Sequence, residues 1–259
     1  MGKIHVIISG KGGVGKTTSA INLGSSINSL GKEVIIVDAN LTTPNIGLHL
    51  GSPIVPTTLN HVMTDKAKVE EAIYEHESGT KILPSSLSLS EMKKIDHDKI
   101  LDVSKKLRKL ADHIIIDAAA GLGEEAKASI KAADEIIIIT NPEMSAVTDA
   151  LKTIKLAEEM KKPVIGCIVT RHDGTGLCMK MSTIEDMLEV PILGVIPEDR
   201  AIKESQIIKN AVIYTHPKAK SSKAYRKIAR RLIGEEVIES SIEEDEGFFS
   251  RLLRNLGLK

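Results

Sequence analysis

The stretch Gly10-Lys11-Gly12-Gly13-Val14-Gly15-Lys16-Thr17-Thr18 decides the fold. An apolar run over residues 4–9 leads into it. A helical pattern through Ile21, Leu23, Ile27 and Leu30 leads out and stops at Gly31, as a helix C-terminus should. Strand, glycine-rich turn and helix in this order form the context in which such a loop cradles phosphate. The glycines let successive backbone N–H groups turn toward an anion, and the helix beginning near Lys16 adds its positive dipole end. Lys16 is placed to reach the β- and γ-phosphates of a nucleotide, and the Thr17 hydroxyl suits Mg²⁺. The expected nucleotide-binding positions here are Gly12, Gly13, Val14, Gly15, Lys16, Thr17 and Thr18.

Working outward, apolar runs alternate with longer amphipathic stretches. Strands are expected at residues 34–37, 81–83, 113–116, 135–140, 164–170 and 192–195. Helices are expected at 98–110, 124–132, 145–160 and 181–188. Alternation at this spacing implies right-handed βαβ units and an α/β fold, a doubly wound, mostly parallel sheet flanked by helices. Such sheets bind ligands at the carboxyl ends of their strands. The polar residues of interest fall there: Asp38 and Asn40 after the second strand, Asp117 and Gly121 after Ile114-Ile115-Ile116, Thr170 and Arg171 after the sixth strand, and Pro197, Glu198 and Asp199 after the seventh.

Composition sets the outer bounds. The 259 residues are 42% hydrophobic but only 2% aromatic, with no Trp, so the core must be aliphatic, as suits buried parallel strands. Lys+Arg and Asp+Glu are both 35, so net charge alone gives no argument for nucleic acid. Two cysteines, Cys167 and Cys178, eleven residues apart, form no CxxC pair, and a reducing cytosol is expected. The eight histidines have no metal-ligand spacing. The chain opens directly on a strand pattern, so no signal peptide is expected, and no apolar run approaches the roughly 18–20 residues of a membrane span.

The second lysine of the loop, Lys11, is not needed by an ordinary phosphate loop. With it, the loop resembles the deviant Walker A group, KGGxGKT, of the MinD/ParA family, and the chain as a whole resembles the MinD branch over residues 2–233. The resemblance implies a P-loop ATPase using ATP/ADP and Mg²⁺, and a homodimer in the ATP state in which Lys11 reaches the partner's nucleotide. It places Asp38 at the start of switch I and Asp117 in the Walker B position, so that Thr17, Asp38 and Asp117 serve the metal. It also implies catalytic roles for Lys11, Lys16, Asp38, Asn40 and Asp117. At position 40 the family usually has an Asp that orients the attacking water. An amide holds water but cannot accept its proton, so slow hydrolysis is one expectation. Residues 118–123 resemble switch II, in which Gly121 would offer a backbone N–H to the γ-phosphate.

By the same resemblance, Thr170, Arg171, Pro197, Glu198 and Asp199 belong to a base site, although the family usually has Asn at position 170. Plain loop residues are the alternative reading. Asn141-Pro142-Glu143 and Asp149 resemble a stretch near the dimer interface, with a helix N-cap and a solvated Asp as the alternative. The cysteine motifs of relatives that carry iron–sulfur clusters are not present.

After Gly234 the composition shifts. The expected organisation is an ATPase domain over 1–234, an acidic flexible linker over 235–246, and an amphipathic helix over 247–259. Phe248, Phe249, Leu252, Leu253 and Leu256 fall on one face of that helix and Arg251 and Arg254 on the other. About thirteen helical residues span roughly 20 Å, too short to cross a bilayer but able to lie in its interface. Two copies in a dimer would raise avidity. The tail resembles the membrane-targeting end of MinD; packing on the parent domain or on a partner is the alternative. A basic stretch at 218–231 reads as the solvated face of a last helix, or as a nucleic-acid or second membrane contact.

The leading expectation is an ATP-switched positioning protein that is cytoplasmic and reversibly peripheral on the inner face of the cell membrane, with a protein partner. A ParA-like DNA-binding partition ATPase and a slowly hydrolysing, nucleotide-locked scaffold are the alternatives.

Overall fold

The structure, a computed structural model, describes residues 1–52, 54–92 and 95–235. The elements run β1 (Lys3–Ile8), α1 (Lys16–Ser29), β2 (Val34–Ala39), α2 (Ile46–His49), α3 (Leu59–Met63), β3 (Tyr74–Glu75), β4 (Lys81–Leu83), α4 (Leu89–Met92), α5 (Lys99–Leu107), β5 (His113–Ala118), α6 (Glu124–Ala132), β6 (Glu135–Thr140), α7 (Met144–Glu159), β7 (Val164–His172), α8 (Met181–Leu188), β8 (Ile192–Pro197), α9 (Arg200–Ile208), α10 (Val212–Thr215) and α11 (Lys220–Leu232).

The strands form one sheet in the order β3-β4-β2-β5-β1-β6-β7-β8. Every pairing is parallel except β3 with β4. The expected α/β doubly wound sheet is therefore present. Its winding reverses at β1, which lies between β5 and β6, and the glycine-rich loop leaves the carboxyl end of that central strand. This is the topological position at which open α/β sheets bind ligands.

The strands read as unbroken apolar runs because both faces of the sheet are covered. Val6 and Ile8 of β1, Ile114 and Ile116 of β5, and Ile136 and Ile138 of β6 join one cluster. Ile7, Ile115, Ile137 and Ile139 join the other, with Leu23 and Ile27 of α1 and Tyr225 and Ile228 of α11. Successive strand side chains point to opposite faces, so each run feeds both clusters in alternation. Burial of a Val, Leu or Ile side chain is worth roughly 1.5–3 kcal/mol, and isoleucines dominate the strands that flank the site.

Among the described residues, the expected strands and helices form, some with the expected ends and the others shifted by one to three residues. The short pieces α2, α3, α4, α10 and β3 carry too little periodicity to be read in advance. The helix α9 was also not anticipated. Apart from Glu235, the residues expected to form the linker and the amphipathic helix lie outside the described residues. Among the described residues, no helix is long and apolar enough to cross a membrane.

Candidate nucleotide site at the carboxyl edge of the sheet

The glycine-rich loop closes through two left-handed residues, Gly13 (φ 80°) and Gly15 (φ 92°). A side chain at either would be strained, because L-residues rarely adopt this conformation. Gly10 answers a different need: a Cβ there would stand 2.1 Å from the backbone oxygen of Asp149, so α7 packs directly on the start of the loop.

At the base of the loop, Lys16 Nζ donates to Asp117 Oδ1 at 2.6 Å, and Thr17 Oγ1 donates to Asp117 Oδ2 at 2.5 Å. Asp117 is fully buried and Lys16 is 8% exposed. The first turn of α1 and the end of β5 are thus locked together by one carboxylate. Asp38 stands beside Asp117 in register on β2. Its Oδ2 accepts the backbone N–H groups of Asn45 (2.8 Å) and Ile46 (2.9 Å), and its Oδ1 accepts that of Asn40 (3.3 Å). Complete burial, and next the neighbouring charge of Asp117, push the Asp38 carboxyl up to about 7. Asp38 therefore fixes the loop after β2 from both ends.

Asn40 is buried, and its amide is folded onto its own loop. Its Nδ2 donates to the Thr43 carbonyl oxygen at 2.7 Å, and Thr43 N–H donates to its Oδ1 at 3.4 Å. Thr42 Oγ1 donates to Glu125 Oε1 of α6, which ties this loop to the helix after β5. The loop after β5 is tied in turn to the phosphate loop, because Gly121 N–H donates to the Ser9 carbonyl oxygen at 2.9 Å. In this arrangement the Gly121 N–H expected at a γ-phosphate is occupied within the chain.

Lys11 lies at the rim, about half exposed. Its Nζ reaches Ser145 Oγ at 3.4 Å and Glu143 Oε2 at 4.0 Å, both at the start of α7. Asp149 pairs with Lys152 one turn further along α7.

The other half of the site is a cavity of about 210 Å³ between β7, β8 and α9, bounded by Gly15, Thr18, Arg171, Pro197, Lys203 and Gln206 among others. It adjoins a second cavity of about 270 Å³ over the phosphate loop, which shares Gly15, Thr18, Arg171 and Gln206 with it. Arg171 adopts φ 56° within a register shift of β7 against β8. Such bulges re-aim side chains beside functional sites. Thr170 is buried beneath the loop, where its hydroxyl lies 2.6 Å from the Val14 carbonyl oxygen and 2.8 Å from Asn141 Oδ1. It supports the phosphate loop from below. Glu198 N–H donates to the His172 carbonyl oxygen, and its side chain pairs with Lys203. The Asp199 carboxylate caps α9 through Ala201 N–H (3.0 Å) and binds the N–H and hydroxyl of Ser221 on α11. At Pro197 to Asp199, it is thus the backbone that remains to meet a base.

The structure brings Lys16, Thr17, Asp38 and Asp117 together, and places Thr170, Arg171, Pro197, Glu198 and Asp199 around one adjoining cavity. Gln206 was not foreseen. Its Nε2 donates to Thr18 Oγ1 at 3.2 Å, and it lines both cavities. Asn45 and His49, which border the phosphate side, were also missed. A lone Gln in an unrecognised helix gives no sequence signal. The Asp199 N-cap before residues 200–208 was the only available cue.

A glycine-rich loop between a central parallel strand and a helix, with its lysine and hydroxyl on a buried strand-end carboxylate, defines a P-loop nucleotide site. The family description "AAA domain" matches residues 2–166. A second, "4Fe-4S iron sulfur cluster binding proteins, NifH/frxC family", matches residues 117–258. The septum site-determining protein MinD of Bacillus subtilis is 32% identical, with both chains covered over 100% of their length. The cell division ATPase MinD of Pyrococcus furiosus superposes with a TM-score of 0.86 at 35% identity, over 90% of this chain and 99% of that one. MinD from Pyrococcus horikoshii OT3, solved in complex with Mg-ADP, matches with the same TM-score at 34% identity, over 90% and 97%. The chain belongs to the MinD/ParA family of P-loop ATPases.

The iron–sulfur description does not fit the cysteines present. Cluster irons are held by thiolates, and burial in β7 pushes the Cys167 thiol up to about 12. Cys178 instead hydrogen-bonds Asp173.

Proposed function

We propose that this protein is an ATP-dependent molecular switch for spatial positioning, which binds ATP with Mg²⁺, pairs with a second copy in that state and resets by hydrolysis. The observation that carries the reading is the grouping of Lys16, Thr17 and Asp117 at the base of a loop that also holds an exposed Lys11 at its rim. Relatives named as septum site-determining proteins, and the antiactivator FleN of Pseudomonas aeruginosa at 26% identity, support the class of task.

The donor set suits a small hard cation. Thr17 Oγ and the Asp117 carboxylate are adjacent oxygens, and the crowding of Asp38 against Asp117 is the kind of electrostatic strain that a divalent cation relieves. Mg²⁺ bound there supplies neutralisation of the charge that develops on the β- and γ-phosphate oxygens. The chain's own residues do the positioning. Lys16 exchanges Asp117 for the phosphates, the loop N–H groups hold them, and Asp38 anchors the 40–46 loop. Lys11 leaves Glu143 and Ser145 to approach the partner's nucleotide, so that each site is complete only in the dimer. Residues 247–259 give the dimer two weak membrane contacts that act together on the inner face of the cell membrane.

Co-sedimentation with anionic liposomes under ATP, ADP and no nucleotide tests this. Sedimentation should require ATP and disappear on removal of residues 247–259, while nucleotide binding persists. Sedimentation that ignores nucleotide or the tail sinks the membrane assignment.

One observation favours a second reading, in which the protein is a slowly hydrolysing scaffold. The Asn40 amide is engaged by Thr43 and offers no carboxylate to an attacking water. Single-turnover hydrolysis by the wild type and Asn40→Asp distinguishes the two. If the reversal gives no gain, the scaffold reading loses its basis.

A further inference from the structure

The loops that leave β2 and β5 are neighbours, because these strands pair in parallel with Asp38 opposite Asp117 and Ala39 opposite Ala118. Asp38 and Asn40 tie the first loop to itself: Asp38 accepts from the N–H groups of Asn45 and Ile46, and Asn40 engages Thr43. Thr42 reaches outward instead. Its hydroxyl donates to Glu125 Oε1 in the first turn of α6. Among the described residues, this is the one side-chain hydrogen bond that joins residues 40–44 to an element beyond α2.

The helix itself does not call for Glu125. An acid in the first turn complements the helix dipole, but Glu124 already supplies one and pairs with Lys127. Glu125 turns toward the loop after β2. With Ala39, Leu41 and Ala128 it borders a small cavity at the end of that strand. Its second oxygen, Oε2, is buried and has no hydrogen-bond partner among the described residues, so Thr42 is the group that holds this carboxylate. The contact also lies close to the loop after β5. Gly121, whose N–H donates to the Ser9 carbonyl oxygen, is separated from Glu125 only by residues 122–124, and Gly123 is the N-cap of α6.

We infer that Glu125 is a positioning residue, a strap through which the loop after β5 sets the place of Thr42 and of Asn40 beside it. The inference rests on the reading of the site as one that binds and hydrolyses ATP. A triphosphate offers the Gly121 N–H a phosphate oxygen that a diphosphate lacks. Gly121 turns to it only by leaving the Ser9 carbonyl. That movement reaches Glu125 within about one helical turn. Thr42 follows the carboxylate, and Asn40, bonded to the adjacent Thr43, follows Thr42. Asp38 holds the far end of the loop in either state, so the middle of the loop is the part that moves. One hydrogen bond from an exposed threonine adds little to stability. Its leverage is on position, because a small misplacement of a group that orients the reactants costs far more in rate than the bond contributes to folding.

ATP hydrolysis by the full chain tests the strap in wild type, Glu125→Ala, Glu125→Gln, Thr42→Val and the double variant Glu125→Ala with Thr42→Val, with ATP affinity measured by calorimetry on the same samples. Glu125→Ala and Thr42→Val should each lower kcat about tenfold while ATP affinity stays within about twofold of wild type. The double variant should be no slower than either single one, since both remove the same link. Glu125→Gln keeps an oxygen that accepts from Thr42 and should hold kcat within about twofold of wild type. Additive losses, an unchanged kcat in Glu125→Ala, or a Glu125→Gln as slow as Glu125→Ala overturns the inference. Hydrogen exchange gives a readout apart from turnover. Mg-ATP and Mg-ADP should protect the amides of residues 40–43 to different extents in wild type and to the same extent in Glu125→Ala. Equal protection in wild type, or a difference that survives in Glu125→Ala, overturns it too. These results remove the strap alone, whereas a wild type that does not bind ATP removes the ATPase reading and the strap with it.

Discussion

The two halves of the site are built differently. The phosphate half comes from one unbroken stretch, residues 10–18, plus a single distant carboxylate, Asp117. The adjoining cavity, the half proposed for the base, is assembled from the ends of β7 and β8, the helix α9 and the deep face of α11. In the first, glycine geometry and backbone N–H groups do the work, and the sequence must be close to invariant in form to do it. In the second, the side chains are largely engaged in holding the scaffold: Thr170 on Val14, Asp199 on α9 and α11, Glu198 on Lys203. One half is chemically dictated. The other is dictated by packing.

The comparison is most sharply tested at Lys16. Lys16→Ala removes the cation from the phosphate half, and steady-state phosphate release should fall by about 10³-fold or more, with an unchanged circular dichroism spectrum. Asp117→Asn should cost about 10²–10³-fold and shift the Mg²⁺ requirement upward, as a titration of activity against metal would detect. A loss confined to nucleotide affinity would mean that Asp117 only braces Lys16.

On the base side the expected effects are smaller. Thr170→Val removes the hydroxyl beneath Val14 and leaves a buried carbonyl oxygen without it, a cost of about 1–3 kcal/mol. It should appear as roughly ten- to hundredfold weaker ATP binding by calorimetry, equal for ATP and GTP because the loop rather than the base is disturbed. Gln206→Ala should weaken binding only a few-fold, since it loses one exposed-rim hydrogen bond of about 1 kcal/mol. If Gln206→Ala changes the ratio of ATP to GTP affinity and Thr170→Val does not, the two halves are separable in the way the geometry implies.

The smallest expected effect is on stability against pH. Asp38 titrates at about 7 when folded and 3.8 when unfolded. Between those values the native state holds the extra proton, so this group's contribution falls as pH rises from about 4 to 7. His113, at the opposite end of the sheet, is pushed down to about 4 from 6.5, first by burial and then by its neighbour His5. There the unfolded state holds the extra proton, so stability rises with pH across about 4 to 6.5. The two slopes oppose one another. Urea unfolding of the nucleotide-free protein should uncover a rise with pH in Asp38→Asn and a steeper fall in His113→Gln. Parallel profiles for both variants would contradict the assignment.

Much of this was legible in the chain itself. Continuous isoleucine-rich runs gave the buried parallel strands, and the glycine spacing gave the phosphate loop, because both are local consequences of covalent geometry and burial on two faces. The aspartates at the ends of β2 and β5 could be picked out because a carboxylate after a buried strand has no packing reason to be there. The Asn40 position was visible as a departure in type, but its engagement with Thr43 was not. Neither was the occupation of the Gly121 N–H by Ser9.

What the sequence by itself determined is the phosphate loop, the sheet it leaves and the identity of the charged residues around it. Only the tertiary structure decided which groups are free to act. It set Thr170 under the loop as well as on the adjoining cavity, turned Arg171 through a bulge, and set Gln206 between the two cavities. The physical reason is range. Backbone conformation and strand burial are fixed by neighbours in the chain, whereas a hydrogen-bond partner 188 residues away, as Gln206 is from Thr18, exists only once the sheet has brought β8 and α9 beside α1.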